Sequence, residues 1–243
     1  MKKYFLLAFV LTAVMAKAQI KQGTIIYERK VDVHRRMQDA QMKAMVPQFQ
    51  TAKSELIFSD NISVYKALPE DNAPDPFNNG SGNVVMIKIG GPGEDAVLYK
   101  NYSNQKFLEQ TELADKPYII DDTIKASSWK LSDETKTVLD HLCKKATMKT
   151  ERGNDVTAWY TEDIPGPVGP DSFGGLPGAI LLVDVNNAEM VYTATEFRNE
   201  VDNKELREPS KGKHITRADF DKKLDEMFGP ATPDGRRIIT RDN

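Results

Sequence analysis

The sequence predicts a mainly β fold of the α+β class: a single curved antiparallel sheet or open half-barrel with a C-terminal helix. Three observations carry this. Short alternating or β-branched apolar runs, punctuated by Gly, Pro, Asn and Asp, recur along most of the chain. One stretch, beginning at Thr216, joins a helix-start signal to a helical apolar spacing. Residues 158–184 combine dense proline and glycine with a closing apolar strand, the mark of an ordered loop folded onto a sheet.

The N-terminus reads as a secretory signal over residues 1–18. Lys2 and Lys3 form its positive region, Tyr4 to Met15 its apolar region, and Ala16-Lys17-Ala18 a cleavage site before Gln19. The apolar run is short for a bilayer crossing, so no transmembrane span is expected after cleavage. Cleavage removes three lysines and leaves a mature chain more acidic than the formal net charge of −3. Without a basic stripe, nucleic acid is not an expected partner. Cys143 is the only cysteine, so no internal disulfide forms and the core itself must stabilise an exported domain. Residues 19–230 are long enough for one β-rich domain, followed by a polar tail over 231–243.

Taken in order, Thr24 to Val33 alternates as a half-buried strand interrupted by Arg29. His34 to Phe49 is either a short helix or an extended polar excursion. Met37, Ala40, Gln41, Ala44 and Met45 favour the helix, and Pro47 would end it. Ser54–Ser59 and Ile62–Leu68 make a hairpin around Asp60-Asn61. Glu70 to Gly82 is a surface loop by composition, and Asn83–Ile89 and Ala96–Lys100 form a second hairpin around Gly90 to Gly93. Lys106–Glu112 and Tyr118–Ile124 continue the meander. Trp129–Leu131 and Val138–Thr147 are strands on either side of a polar turn over Ser132 to Lys136. Ala179–Val185 and Met190–Phe197 are joined by Asn186-Asn187. Thr216 to Asp219 resembles a capping box with Asp in place of Glu or Gln. Phe220, Leu224, Met227 and Phe228 line one face of the helix that follows, and Gly229-Pro230 stops it.

Within the Pro/Gly stretch, Val156, Ala158 and Tyr160 share one strand face and Trp159 takes the other. Four prolines (Pro165, Pro167, Pro170, Pro177) and five glycines (Gly166, Gly169, Gly174, Gly175, Gly178) then shape the loop. Read structurally, the loop is a rigid connector with Phe173 and Leu176 plugging the sheet. Read functionally, it is an exposed recognition loop over an apolar cavity. The candidate binding residues are therefore Trp129, Trp159, Tyr160, Pro165, Phe173, Gly175, Leu176, Pro177 and Gly178. Trp129, Trp159 and Tyr160 also fit a core role.

The strings WYTEDIP, GP and FGGLPGAILLVD resemble the signature of the GLPGLI family, secreted proteins of Bacteroidetes-type bacteria. WKLSDETK from Trp129 and CKKAT from Cys143 are similar to that family's earlier block. Ala179-Ile180 stands where the family name has Leu-Ile. The resemblance implies a cell-envelope setting, periplasmic or outer-membrane associated, and brings no settled activity with it.

Catalytic motifs are missing from the sequence: there is no G-x-S-x-G, H-E-x-x-H, phosphate-cradling loop or C-x-x-C. No catalytic residue, cofactor or metal-ligand set is predicted. His141 and Cys143 would share a strand face as a thiolate–imidazole pair, against which stands an inert core thiol. Asp60, Glu94-Asp95 and Asp121-Asp122 match no calcium loop and read as solvated turn carboxylates. The expected function is a non-catalytic envelope protein that binds an apolar small molecule or an envelope partner protein in a groove of the curved sheet. The alternatives are a secreted hydrolase with a nonlocal site, or a structural module of a surface assembly. A pocket bringing His141 or His214 together with carboxylates favours the hydrolase; an apolar cavity without clustered titratable groups favours binding.

Overall fold

The computed structural model describes residues 22–37, 39–69 and 96–231. The signal segment, the loop after Glu70, the strand expected at Asn83–Ile89 with its turn, and the C-terminal tail lie outside the described residues.

Alternation of apolar and polar residues builds twelve strands: β1 (Gly23–Asp32), β2 (Phe49–Ser59), β3 (Ile62–Ala67), β4 (Val97–Asn101), β5 (Lys106–Leu113), β6 (Lys116–Thr123), β7 (Lys130–Val138), β8 (His141–Lys149), β9 (Asp155–Pro165), β10 (Gly178–Val185), β11 (Met190–Arg198) and β12 (Lys213–Thr216). They form one sheet in the order β12-β6-β5-β4-β3-β2-β1-β11-β10-β9-β8-β7. Two meanders, β1 to β6 and β7 to β11, are thus joined by the antiparallel β1–β11 seam, which runs from Thr24↔Arg198 to Val31↔Met190. The chain then returns to the far edge, where β12 pairs parallel to β6, so the sheet is mixed at that one edge.

The helix expected after His34 is smaller than its periodicity suggests. A 3-10 turn (Val33–Arg36) precedes a six-residue helix α1 (Ala40–Met45), whose N-terminal amides are capped by the Asp39 carboxylate. Val46 and Pro47 end it in extended backbone, because a residue before proline is pushed out of the helical region. The polar stretch Ser132 to Lys136 is strand rather than turn. β7 is an edge strand whose side chains mostly face water, so its charges break the alternation signal, and a bulge between Leu131 and Thr135 lets the strand pair with β8 on either side of it. The turn falls instead at Leu139-Asp140, both in left-handed backbone.

The sheet curls so that residues of both meanders meet in one core. Ile25, Leu56, Tyr65 and Leu98 lie opposite one another across β1 to β4. They share a cluster with Ala158 and Tyr160 of β9, Val183 of β10 and Tyr192 of β11. On the other face Val64, Tyr99, Leu108 and Ile119 pack under Leu206. Ion pairs Lys66–Glu205 and Lys106–Glu208 hold the connection before β12 against that side. The C-terminal helix α2 (Arg217–Phe228) begins as its sequence predicts, with the Thr216 hydroxyl accepting from the Asp219 amide, and Gly229 follows at positive φ. Its Phe220 is buried edge-on against Tyr118 of β6, 5.7 Å between ring centres.

Candidate functional site

Between β9 and β10 the Pro/Gly segment turns inward and fills the space inside the curl. Leu176 is only 3% exposed and joins the main core with Ile164 and Val168. Pro177 keeps Leu176 extended and aims that side chain inward, while the proline itself stays exposed. Gly178 opens β10 at a point where a Cβ would collide with the Thr161 carbonyl on β9, so only glycine lets the two strands close. Gly175, exposed at φ +83°, donates its amide to the Pro167 carbonyl and closes the loop on itself. The Ile180 amide donates to Val168 O, and the buried Tyr27 hydroxyl of β1 donates to Ile180 O at 2.6 Å.

A polar latch lies beneath. Lys100 of β4 is buried and donates its Nζ to the carbonyls of Asp171 (3.0 Å) and Phe173 (3.4 Å). Asp171, in left-handed backbone, also accepts from the Tyr192 hydroxyl at 2.8 Å and from the Ser172 amide. Phe173 stands edge-on to Tyr192, 5.9 Å between centres. Tyr65 accepts from the Ser54 hydroxyl at 2.6 Å. Burial pushes the Lys100 amine down to about 8, partly offset by the Asp171 charge. It raises the Tyr27, Tyr65 and Tyr192 phenols well above their ordinary value and the Tyr102 phenol to about 12. Lys100 and Asp171 carry this network and neither stands out in the sequence. The run Val97-Leu98-Tyr99 on one side of Lys100 and the Pro170-Asp171-Ser172 turn chemistry are the only signals that could have pointed to them.

The predicted site residues divide between core and rim. Tyr160 and Gly178 are buried, and Pro165 ends β9 half-buried. Trp129 is half-buried and donates its indole N–H to Gly174 O at 2.9 Å, clamping the loop from the side. Trp159, half-buried against the same core, has the Lys136 ammonium 5.7 Å from its ring centre. Trp129, Trp159 and Phe173 thus pack around the main core, against which the loop is held. Cys143 and His141 do not pair. The thiol is buried and pushed up to about 11 by desolvation, whereas the His141 ring turns to Asp163 at 3.3 Å. Asp122 is held by Arg217, and among the described residues no three His, Cys, Asp or Glu side chains form a metal-holding group.

A separate open depression of about 510 Å³ lies where β6, β12 and α2 meet. Asp121, Lys213, His214, Thr216, Asp219, Lys222, Lys223 and Glu226 line it, with Ile215. The His214 Nδ1 is 2.8 Å from an Asp121 carboxylate oxygen, with both side chains more than two-fifths exposed. β12, which presents His214, carries little strand signal: it is four residues long and follows a polar, charged connection.

Two predictions follow from the latch. Leu176→Ala should destabilise by about 2–4 kcal/mol through the cavity it leaves, and Gly178→Ala by about 1–3 kcal/mol through backbone overlap, both read by urea denaturation. An unchanged midpoint in both would sink the anchor account. Second, native Lys100 sheds its proton near pH 8, while an unfolded lysine keeps its own to roughly 10.4. The unfolded chain thus binds more protons in that window, and this group's contribution to stability rises from pH 8 toward 10. Above roughly pH 10 the raised tyrosines act oppositely, because unfolded phenols ionise first. Lys100→Met should remove the pH 8–10 rise; the same slope in wild type and variant would refute the assignment.

The family model described as "N-glycanase peptide, N-terminal domain" matches residues 80–220, more than half of the chain. No curated protein matches. Two crystal forms of PNGF-II are similar in fold, each with a TM-score of 0.56 at 15% identity over 83% of this chain. The chain spans only 32% of the length of PNGF-II, so the likeness covers about a third of that protein. By the extent of the family match, the chain belongs to the N-glycanase peptide, N-terminal domain family.

Proposed function

We propose that this chain is an exported, non-catalytic recognition module of the GLPGLI type, working in the cell envelope and binding carbohydrate, including glycans carried on proteins. The open polar depression at the β6–β12–α2 junction carries the reading. Sugars present dense hydroxyl groups, and a solvent-open cleft lined by carboxylate, imidazole, hydroxyl and ammonium groups offers donors and acceptors to match. The depression, about 510 Å³, lies open to solvent. The family's description supports a glycan setting, and that match covers the segment leading from β4 to α2. The expected apolar ligand inside the sheet finds less support, since Leu176, Val168, Tyr192 and Tyr27 pack that interior. No helix among the described residues is long and apolar enough to cross a membrane.

A second reading has one observation in its favour. His214 paired with Asp121, beside Asp219 and Glu226, is the gathering of histidine and carboxylates expected of a hydrolase. The Thr216 hydroxyl is an unsuitable nucleophile there, because it donates to the Asp219 carboxylate and accepts its amide as the cap of α2. The purified chain should bind immobilised N-linked glycans saturably and release no sugar from a denatured glycoprotein. Sugar release abolished by His214→Ala would establish the hydrolase instead, and absence of binding across glycan classes would sink the recognition reading.

A further inference from the structure

The cleft's polar groups are not equally available. Asp121 is engaged by His214, Asp219 by the Thr216 hydroxyl, and Glu226 stands 4.0 Å from the Lys222 ammonium. Each of these three carboxylates therefore already has a partner within the protein. The ammonium groups of Lys213 and Lys223, by contrast, make no hydrogen bond or ion pair among the described residues, although both side chains line the depression. Lys213 lies on β12 and Lys223 on α2, so the two cations approach from different elements. The imidazole of His214, held through Nδ1 by Asp121, keeps Nε2 for a ligand oxygen. What an incoming molecule meets is thus two ammonium donors and an imidazole nitrogen that can pair with a hydroxyl.

We propose that this cleft takes anionic carbohydrate, a sugar bearing a carboxylate or sulfate group, through Lys213 and Lys223, with His214 binding an adjacent hydroxyl. The inference rests on the recognition reading above and adds the sign of the ligand's charge and the residues that read it. Lysine suits the role as a point charge on a flexible stem, able to follow a carboxylate or sulfate presented at different angles along a polysaccharide. A cleft open to water screens such contacts, so binding should weaken with added salt.

Isothermal titration of the intact chain with oligogalacturonate, dextran sulfate and neutral dextran tests this and separates carboxylate from sulfate. At least one acidic ligand should bind more than tenfold tighter than dextran. Lys213→Ala/Lys223→Ala should lose at least tenfold of that affinity, with an unchanged urea midpoint and dextran response. A control pair far from the cleft, Lys53→Ala/Lys130→Ala, removes the same charge and should lose less than twofold. Equal losses in both pairs, or acidic binding untouched by the cleft pair, would overturn the assignment. Binding of neutral glycan alone would overturn it while leaving the recognition reading standing; binding of none of the three, nor of N-linked glycans, would remove both.

Discussion

A sheet of twelve strands curls far enough for its inner face to meet itself, and the space between its halves must be filled to keep water out. The Pro/Gly segment between β9 and β10 supplies that filling. Proline and glycine let the backbone turn sharply enough to re-enter the sheet, and Leu176 provides the apolar mass at its tip. Gly178 then permits β10 to close against β9 with no Cβ in the way. The β1–β11 seam depends on the same packing, since Tyr27 of β1 reaches across to the Ile180 carbonyl just beyond the loop.

Placing a loop inside a sheet brings backbone carbonyls into a dry interior, where an unpaired polar group costs on the order of 1–3 kcal/mol. Lys100 answers this by donating to two of those carbonyls, and Asp171 fixes the turn through Tyr192 and Ser172. Burying an ammonium is itself costly, which is why its proton is held less tightly than in an exposed lysine. The latch therefore gives orientation more than net stability. The interior is thus committed to holding the fold, whereas the junction of β6, β12 and α2 lies open to solvent.

Much of this fold was legible in the sequence because alternation survives wherever one strand face is buried. β1 to β6, β9 to β11 and the capped helix α2 all announce themselves by spacing and turn residues. The Pro/Gly loop was legible as an ordered element, with Leu176 as its anchor. β7 was not, because an edge strand in water can carry Ser-Asp-Glu-Thr-Lys without penalty. β12 was not, since four residues in a parallel pair leave no periodic trace. The thiolate–imidazole pair failed although β8 is regular at these residues: Cys143 is buried in the core, and the His141 ring at the strand's start turns to Asp163 instead. The cleft was the least legible feature, because Asp121 and His214 are brought together across 93 residues by that unsignalled edge pairing.

The account's central claim is that the Pro/Gly segment is a fixed internal plug and not a flexible surface loop. Amide hydrogen exchange over residues 166–180, followed by mass spectrometry on the intact chain, tests it most directly. The Gly175 amide, bonded to Pro167 O, should exchange as slowly as those of β10, and Lys100→Met should accelerate the loop selectively. Exchange across 166–177 at the rate of an unstructured peptide, with β10 still protected, would contradict the account.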